Sequence, residues 1–193
     1  YDVFRGAVLV DGADVRQWPL SELRRRVGVV PQRAVLFAGS LRENMKWGRR
    51  DATDEEIYQA LSIAQAKEFV DDKGEGLDLH IAQEGKNLSG GQRQRLTIAR
   101  ALVRQPEILI MDDSASALDF ATDAKLRKAI REERKGMTVF LVSQRAATVR
   151  SADVIVVLDD GAVAGIGTHS ELIHSCQVYR EICLSQLSPE EVE

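Results

Sequence analysis

Cysteine is scarce: Cys176 and Cys183 are the only two in 193 residues. They stand in a stretch that reads as helix. At about 1.5 Å of rise per residue they are roughly 10 Å apart, too far for a disulfide. Two reduced thiols fit a cytosolic setting. The three histidines, His80, His169 and His174, lack metal-ligand spacing and read as surface or loop residues. No apolar stretch approaches the roughly 20 residues needed to cross a bilayer, and no signal peptide is visible. A basic excess is missing too. The net charge is -4, and Arg24, Arg25 and Arg26 form the one tight basic run, which reads as a solvated helix end. Nucleic acid is therefore not an expected partner. What remains is ordinary globular composition, 44% hydrophobic and 29% charged, at a length suited to one domain with or without a subdomain. The chain starts at Tyr1 without a methionine and enters a strand almost at once, so it reads as a piece of something longer.

Along the chain, 7–10 reads as a short strand closed by Asp11-Gly12. Pro19 is placed for the first turn of a helix through Arg26. "VGVV" (27–30) is a continuous apolar run, as expected of a strand buried on both faces, and Pro31 and Gln32 end it. From Ser40 to about Val70 the pattern is helical. Ser40 with Glu43, and Thr53 with Glu56, have capping-box spacing. The stretch 71–76 is a loop. Strand–helix alternation then resumes: "ILIM" (108–111) is a strand, 121–135 a helix, "TVFLV" (138–142) a strand. "VIVVL" (154–158) and "AVAGI" (162–166) flank Asp159-Asp160-Gly161, a hairpin signal. Short helices over 168–187 close the chain, and "SPEEVE" at its end reads as frayed. Buried strands alternating with helices predict an α/β fold with a mostly parallel sheet, interrupted by a helical insertion over about 37–85.

Chemistry concentrates in two places. In "NLSGGQRQRLTIARAL" (87–102) Ser89 can cap free backbone N–H groups, and Gly90 and Gly91 let a ligand approach the backbone. The macrodipole favours an anion there, a phosphate above all, and Arg93, Arg95 and Arg100 add a basic shoulder. A plain Ser-Gly helix start is the alternative. Downstream, "ILIMDD" ends a strand in Asp112 and Asp113. Carboxylates at the end of a buried strand manage Mg²⁺ and an attacking water in nucleotide hydrolases, although such an aspartate is as commonly a helix cap.

Together these motifs resemble the nucleotide-binding domain of an ATP-binding cassette (ABC) transporter. Gln32 resembles the glutamine of the Q-loop. "LSGGQ" (Leu88, Ser89, Gly90, Gly91, Gln92) matches the family signature, "ILIMDD" the Walker B strand, "SALD" (116–119) the D-loop, and "VSQR" (142–145) falls at the switch loop. The order and surroundings agree from Tyr1 to beyond Leu187. The resemblance implies a P-loop NTPase fold binding ATP and Mg²⁺. Asp112 and Gln32 would hold the metal. Gln32, Leu88, Ser89, Gly90, Gly91, Gln92 and Asp119 would meet nucleotide, and Asp113 and Gln144 would be catalytic. It also implies two partners: a second nucleotide-binding domain arranged head to tail, and transmembrane helices docked near Gln32. The place of action would be the cytoplasmic face of the plasma membrane.

Two departures stand out. The family's Walker B aspartate is followed by a glutamate that polarises the attacking water, and here that position is Asp113. The switch loop normally carries a histidine, and here it is Gln144. Aspartate is one methylene shorter, a retreat of roughly 1 Å, and misplacement of that size costs on the order of 10²-fold in rate. Glutamine can hydrogen-bond a phosphate but cannot carry histidine's charge or shuttle a proton. Both changes imply a slow or silent site. With "SQRAATVRSAD", "GIGTHSEL" and "YREICLSQLS" nearby, the chain resembles the degenerate-site half of a heterodimeric multidrug-type ABC exporter. Its intact LSGGQ would then complete the partner's competent site.

The sequence holds no G-x-x-x-x-G-K-[ST]. Gly85-Lys86 is followed by Asn87 and lacks the upstream glycine. In the resembled family that loop lies shortly upstream of the position of Tyr1, and truncation is the expected reason for its absence. Two rival readings remain. A soluble ABC ATPase of DNA repair or chromosome maintenance shares the motifs but carries long coiled coils between them, and no heptad run occurs here. A catalytically dead regulatory module would fit Asp113 and Gln144 but not the intact signature.

Overall fold

The structure, a computed structural model, describes residues 3–133 and 135–187; the "SPEEVE" end lies outside them. The chain divides into two compact units, 1–140 and 141–193.

The first unit opens with a hairpin smaller than the strand expected over 7–10. Strand β1 (Leu9–Val10) pairs antiparallel with β2 (Ala13–Asp14). Asp11 and Gly12 both take left-handed backbone at the turn, the conformation that Asp-Gly supplies cheaply. Pro19 caps α1 (Leu20–Arg26), which runs directly into β3 (Val27–Val30). Among the described residues β3 is covered mainly on one face, where the sequence pattern suits burial on both. Val30 is fully buried but Val29 is 56% exposed. β3 pairs in parallel with β6 (Ile108–Asp112), and the register sets Val29 beside Ile110 and Val30 beside Met111. Leu109 and Met111 are buried, whereas Ile108 and Ile110 are only half-buried. Val30, Leu109 and Met111 thus lie on the better covered face of this strand pair and Val29 on the other. Continuous apolarity marks a strand that can be buried twice, and only packing decides whether it is.

The sheet order is β3-β6-β7, with β7 (Thr138–Val142) at its edge. Between β3 and β6 the chain forms β4 (Gly39–Ser40), α2 (Leu41–Lys46), α3 (Asp54–Ile63), α4 (Lys67–Asp72) and β5 (His80–Ile81). The helical pattern expected from Ser40 to about Val70 is divided among three helices. Both predicted capping boxes form. Ser40 and Thr53 accept the Glu43 and Glu56 amides, and those glutamates accept the cap amides in return. The 14-residue helix α5 (Gly90–Val103) packs on α2, α3 and β3, burying Leu96, Ile98, Ala99 and Leu102. Helix α6 (Phe120–Glu133) follows β6.

In the second unit α7 (Ala146–Val149) precedes the antiparallel pair β8 (Ile155–Asp159) and β9 (Ala162–Gly167), then α8 (His169–Ser175) and α9 (Gln177–Gln186). The hairpin turns at Asp160 and Gly161, both left-handed, as Asp-Gly spacing predicted. Cys176 and Cys183 are free thiols in its core with Ile155, Leu172 and Tyr179. No helix of the described residues is long and apolar enough to cross a membrane.

Candidate functional site

The start of α5 is exposed at Ser89 and Gly90. Ser89 Oγ accepts from the Gln92 amide at 3.2 Å, and Gln92 Oε1 accepts from the Ser89 amide at 2.9 Å. The signature is therefore also a capping box, and the Ser89 hydroxyl proton remains to be donated outward. The first N–H groups of a helix have no intrahelical acceptor. Among the described residues none accepts from the Gly90 or Gly91 amide. The two glycines differ. A Cβ at Gly91 would come within 3.2 Å of the Ala117 carbonyl, a tight contact that would make that backbone give by a few tenths of an ångström. A Cβ at Gly90 would meet nothing nearer than the Arg93 guanidinium at 3.9 Å. Among the described residues nothing explains a glycine at 90. Leu88, by contrast, is turned inward at 5% exposure, and its carbonyl accepts from Arg93 at 2.6 Å.

The basic shoulder proves to be bracing. Arg93 holds the Leu88 carbonyl, Arg95 the Gln65 carbonyl at 2.5 Å, and Arg100 the Val35 carbonyl at 2.9 Å. Burial pushes the Arg95 and Arg100 guanidiniums below their ordinary pKa. These cations tie α5 to its neighbours rather than presenting charge to a ligand. Asn87 acts similarly, accepting from the Ala82 amide at 2.9 Å and donating to the His80 carbonyl at 2.7 Å.

The second cluster lies at the carboxyl end of β6. Asp112 is exposed there. The next residue, Asp113, turns the chain through a left-handed conformation (φ 42°), which aspartate tolerates better than most residues. Its carbonyl is held by the Ser116 hydroxyl at 2.8 Å. Its carboxylate accepts from Gln32 Nε2 at 3.2 Å, so residues 81 apart in sequence meet. Buried Gln94 of α5 donates to the Pro31 carbonyl at 3.4 Å, which links the signature helix to the segment carrying Gln32. Neither aspartate serves as a side-chain helix cap; Asp119 does. Both its oxygens accept from Thr122, at 2.9 and 2.7 Å, and these bonds, the backbone one foremost, hold its carboxyl below the usual range. Gln144 is exposed on the loop after β7, in the second unit.

No group of three or more carboxylates, thiols or imidazoles among the described residues forms a metal cage. Mg²⁺ needs none, since it binds through one or two carboxylates together with substrate phosphates. Exposed Asp112 and the Gln32 amide oxygen, left free by the bond from Nε2, suit that chemistry.

The aromatic pair Phe37 and Trp47 carried no sequence signal. Their rings pack at a 38° tilt with centroids 5.1 Å apart, 46% and 68% exposed. Asn44, 1% exposed, fixes the Phe37 backbone by accepting its amide at 2.9 Å and donating to its carbonyl at 2.8 Å. Beside them runs an open groove of about 330 Å³, lined by Val29, Trp47, Arg24 and Arg104 among others.

An α/β unit with a capped glycine helix start and a carboxylate-ended parallel strand is the pattern of a nucleotide-hydrolase domain. The sequence model of the ABC transporter family matches residues 1–116, and the chain belongs to that family. It is 44% identical over 189 residues to an uncharacterized ABC transporter ATP-binding protein of Mycobacterium tuberculosis, covering 96% of this chain and 32% of that protein. It is also 44% identical over 191 residues to the beta-(1-->2)glucan export ATP-binding/permease protein NdvA of Rhodopseudomonas palustris, covering 99% and 32%. Among solved structures, a bacterial Atm1-family ABC exporter with ATP bound superposes with a TM-score of 0.93 at 34% identity, covering 97% of this chain and 33% of that one. The chain spans about a third of the length of the curated relatives it matches.

Proposed function

We propose that this chain is part of the ATP-hydrolysing motor domain of a membrane exporter, with the helices of 37–85 as its helical subdomain. Its own nucleotide site is degenerate, and its signature helix serves the site of a second domain arranged head to tail, as in a heterodimer. The observation that carries this reading is the start of α5. There two unaccepted amides and one spare hydroxyl proton stand beside an exposed glycine that the fold does not require. Such a set of donors, fixed before the ligand arrives, stabilises charge on the γ-phosphate of an ATP held mainly by the other domain. Within this chain's own site, Asp112 and the Gln32 amide oxygen would hold Mg²⁺, which offsets phosphate charge when bound. Gln32 steadies the Asp113 carboxylate, and Gln144 donates to the γ-phosphate from the switch loop without accepting a proton.

Transmembrane helices would dock at the Phe37–Trp47 surface, placing the domain at the cytoplasmic face of the plasma membrane. Exposed, mutually packed aromatics on a buried Asn44 brace suit a rigid docking point. The adjoining arginines favour a partner with acidic flanks.

The test is steady-state ATPase activity of the full-length subunit assembled with its partner and membrane helices. Ser89→Ala should lower turnover by about 10²- to 10³-fold, the usual loss for one preorganised donor, whereas Asp113→Ala should change it little. If Asp113→Ala abolishes hydrolysis while Ser89→Ala leaves it intact, the assignment of roles is wrong.

A further inference from the structure

The loop carrying Gln144 is held from the far end of the second unit. Helix α7 begins at Ala146, whose amide is one of the donors a helix leaves without an intrahelical acceptor. Its N-cap, Arg145, supplies no side-chain cap. Ala146 is 1% exposed, so solvent cannot readily satisfy the amide. The acceptor comes from 40 residues away: Gln186 Oε1, in the last turn of α9, receives the Ala146 amide at 2.9 Å. The other end of the same carboxamide, Nε2, donates to the Gln144 carbonyl at 2.8 Å. One side chain therefore grips the backbone on both sides of Arg145. A carboxamide alone among the uncharged side chains offers donor and acceptor side by side in one plane.

We propose that Gln186 is a positioning residue that sets the switch-loop backbone, and through it the reach of the Gln144 side chain toward the γ-phosphate. The proposal rests on the reading of Gln144 as a phosphate contact. The carbonyl that Gln186 holds is that of Gln144 itself, and the amide lies two residues on; Gln144 is read as a contact of the γ-phosphate, which ATP has and ADP lacks. Loss of the grip should therefore weaken ATP selectively.

The experiment uses the full-length subunit in the assembled transporter, photolabelled with 8-azido-ATP or 8-azido-ADP and read on this subunit's own band. Gln186→Met, close in size but with neither hydrogen bond, should weaken 8-azido-ATP binding about tenfold, a loss on the scale of two modest hydrogen bonds. Binding of 8-azido-ADP, which lacks the γ-phosphate, should be unchanged. Gln186→Glu keeps the acceptor for the Ala146 amide but turns an acceptor-only oxygen toward the Gln144 carbonyl, so it too should weaken 8-azido-ATP and spare 8-azido-ADP. It also serves as the test variant should Gln186→Met fail to assemble. Gln144→Ala is the control. An effect of Gln144→Ala without one from Gln186→Met overturns the grip and leaves the phosphate reading standing. Equal weakening of ATP and ADP by the Gln186 variants shows a merely structural role and overturns the proposal. A silent Gln144→Ala overturns the phosphate reading, and the proposal falls with it.

Discussion

Replacing Gly90 with alanine should separate what the fold needs from what a ligand needs. Gly90 is the first residue of α5 and has no left-handed backbone to protect. A Cβ there meets only the far end of the Arg93 side chain at 3.9 Å, an ordinary contact. Alanine loses less backbone freedom on folding and has higher helix propensity, so Gly90→Ala should stabilise the domain by about 0.5 kcal/mol at this terminal position. That corresponds to a rise in Tm of roughly 1–2 °C for a domain of this size. The same methyl group stands where a phosphate would approach the free amides. A displacement of the order of 1 Å should cost about 10²-fold in turnover of the assembled transporter. Gly91→Ala should behave differently, because its Cβ crowds the Ala117 carbonyl at 3.2 Å. The propensity gain is offset, and stability should not rise. Thermal melts of each full-length variant, paired with steady-state ATPase assays, give both quantities. A Gly90→Ala protein that is stabilised yet hydrolyses ATP at the wild-type rate would refute the reasoning, because the exposed glycine would then face no ligand.

Asn44→Ala would strip partners from the Phe37 amide and from the Phe37 and Ser40 carbonyls. A loss of about 2–3 kcal/mol, read from urea unfolding, is expected. The double change Asp113→Glu with Gln144→His should restore reach and a titratable group, raising ATP turnover in the assembled transporter; an unchanged rate would remove the case for a degenerate site. Acid should destabilise the chain through its capping boxes. Glu43 is held below its ordinary pKa first by the Ser40 amide, Glu56 first by the Arg49 side chain, and Glu171 first by the Thr168 amide. With the folded pKa depressed, their contribution is present above the ordinary glutamate range and is lost as pH falls through the folded value. Urea midpoints should therefore drop as pH falls below the ordinary glutamate range, and less so after Glu56→Gln.

Features closed by a few neighbouring residues could be read directly from sequence. The Ser40–Glu43 and Thr53–Glu56 boxes and the Asp160-Gly161 turn form as their spacing predicts. Their hydrogen bonds span two or three residues, so local backbone geometry settles them without help from the rest of the fold. The family and its α/β class were legible for a related reason, since each motif combines a helix start or strand end with the residues it needs alongside. What sequence could not show depends on contacts between distant segments. Gln32 meets Asp113 and Gln94 meets the carbonyl before Gln32 only because β3, β6 and α5 pack together. The arginines after LSGGQ look like an anion platform in one dimension, and in three they are spent on carbonyls of the segments around α5. Nor does the motif that makes Asp119 a nucleotide contact show that it also caps α6 with both oxygens. Val29, apolar in an apolar run, stands exposed among the described residues, since burial depends on what lies across the sheet, which no pattern within four residues encodes. Gln186 is the extreme case. Its partners are 40 and 42 residues away, and only the packing of α9 onto the second unit's core brings its carboxamide to the loop it holds.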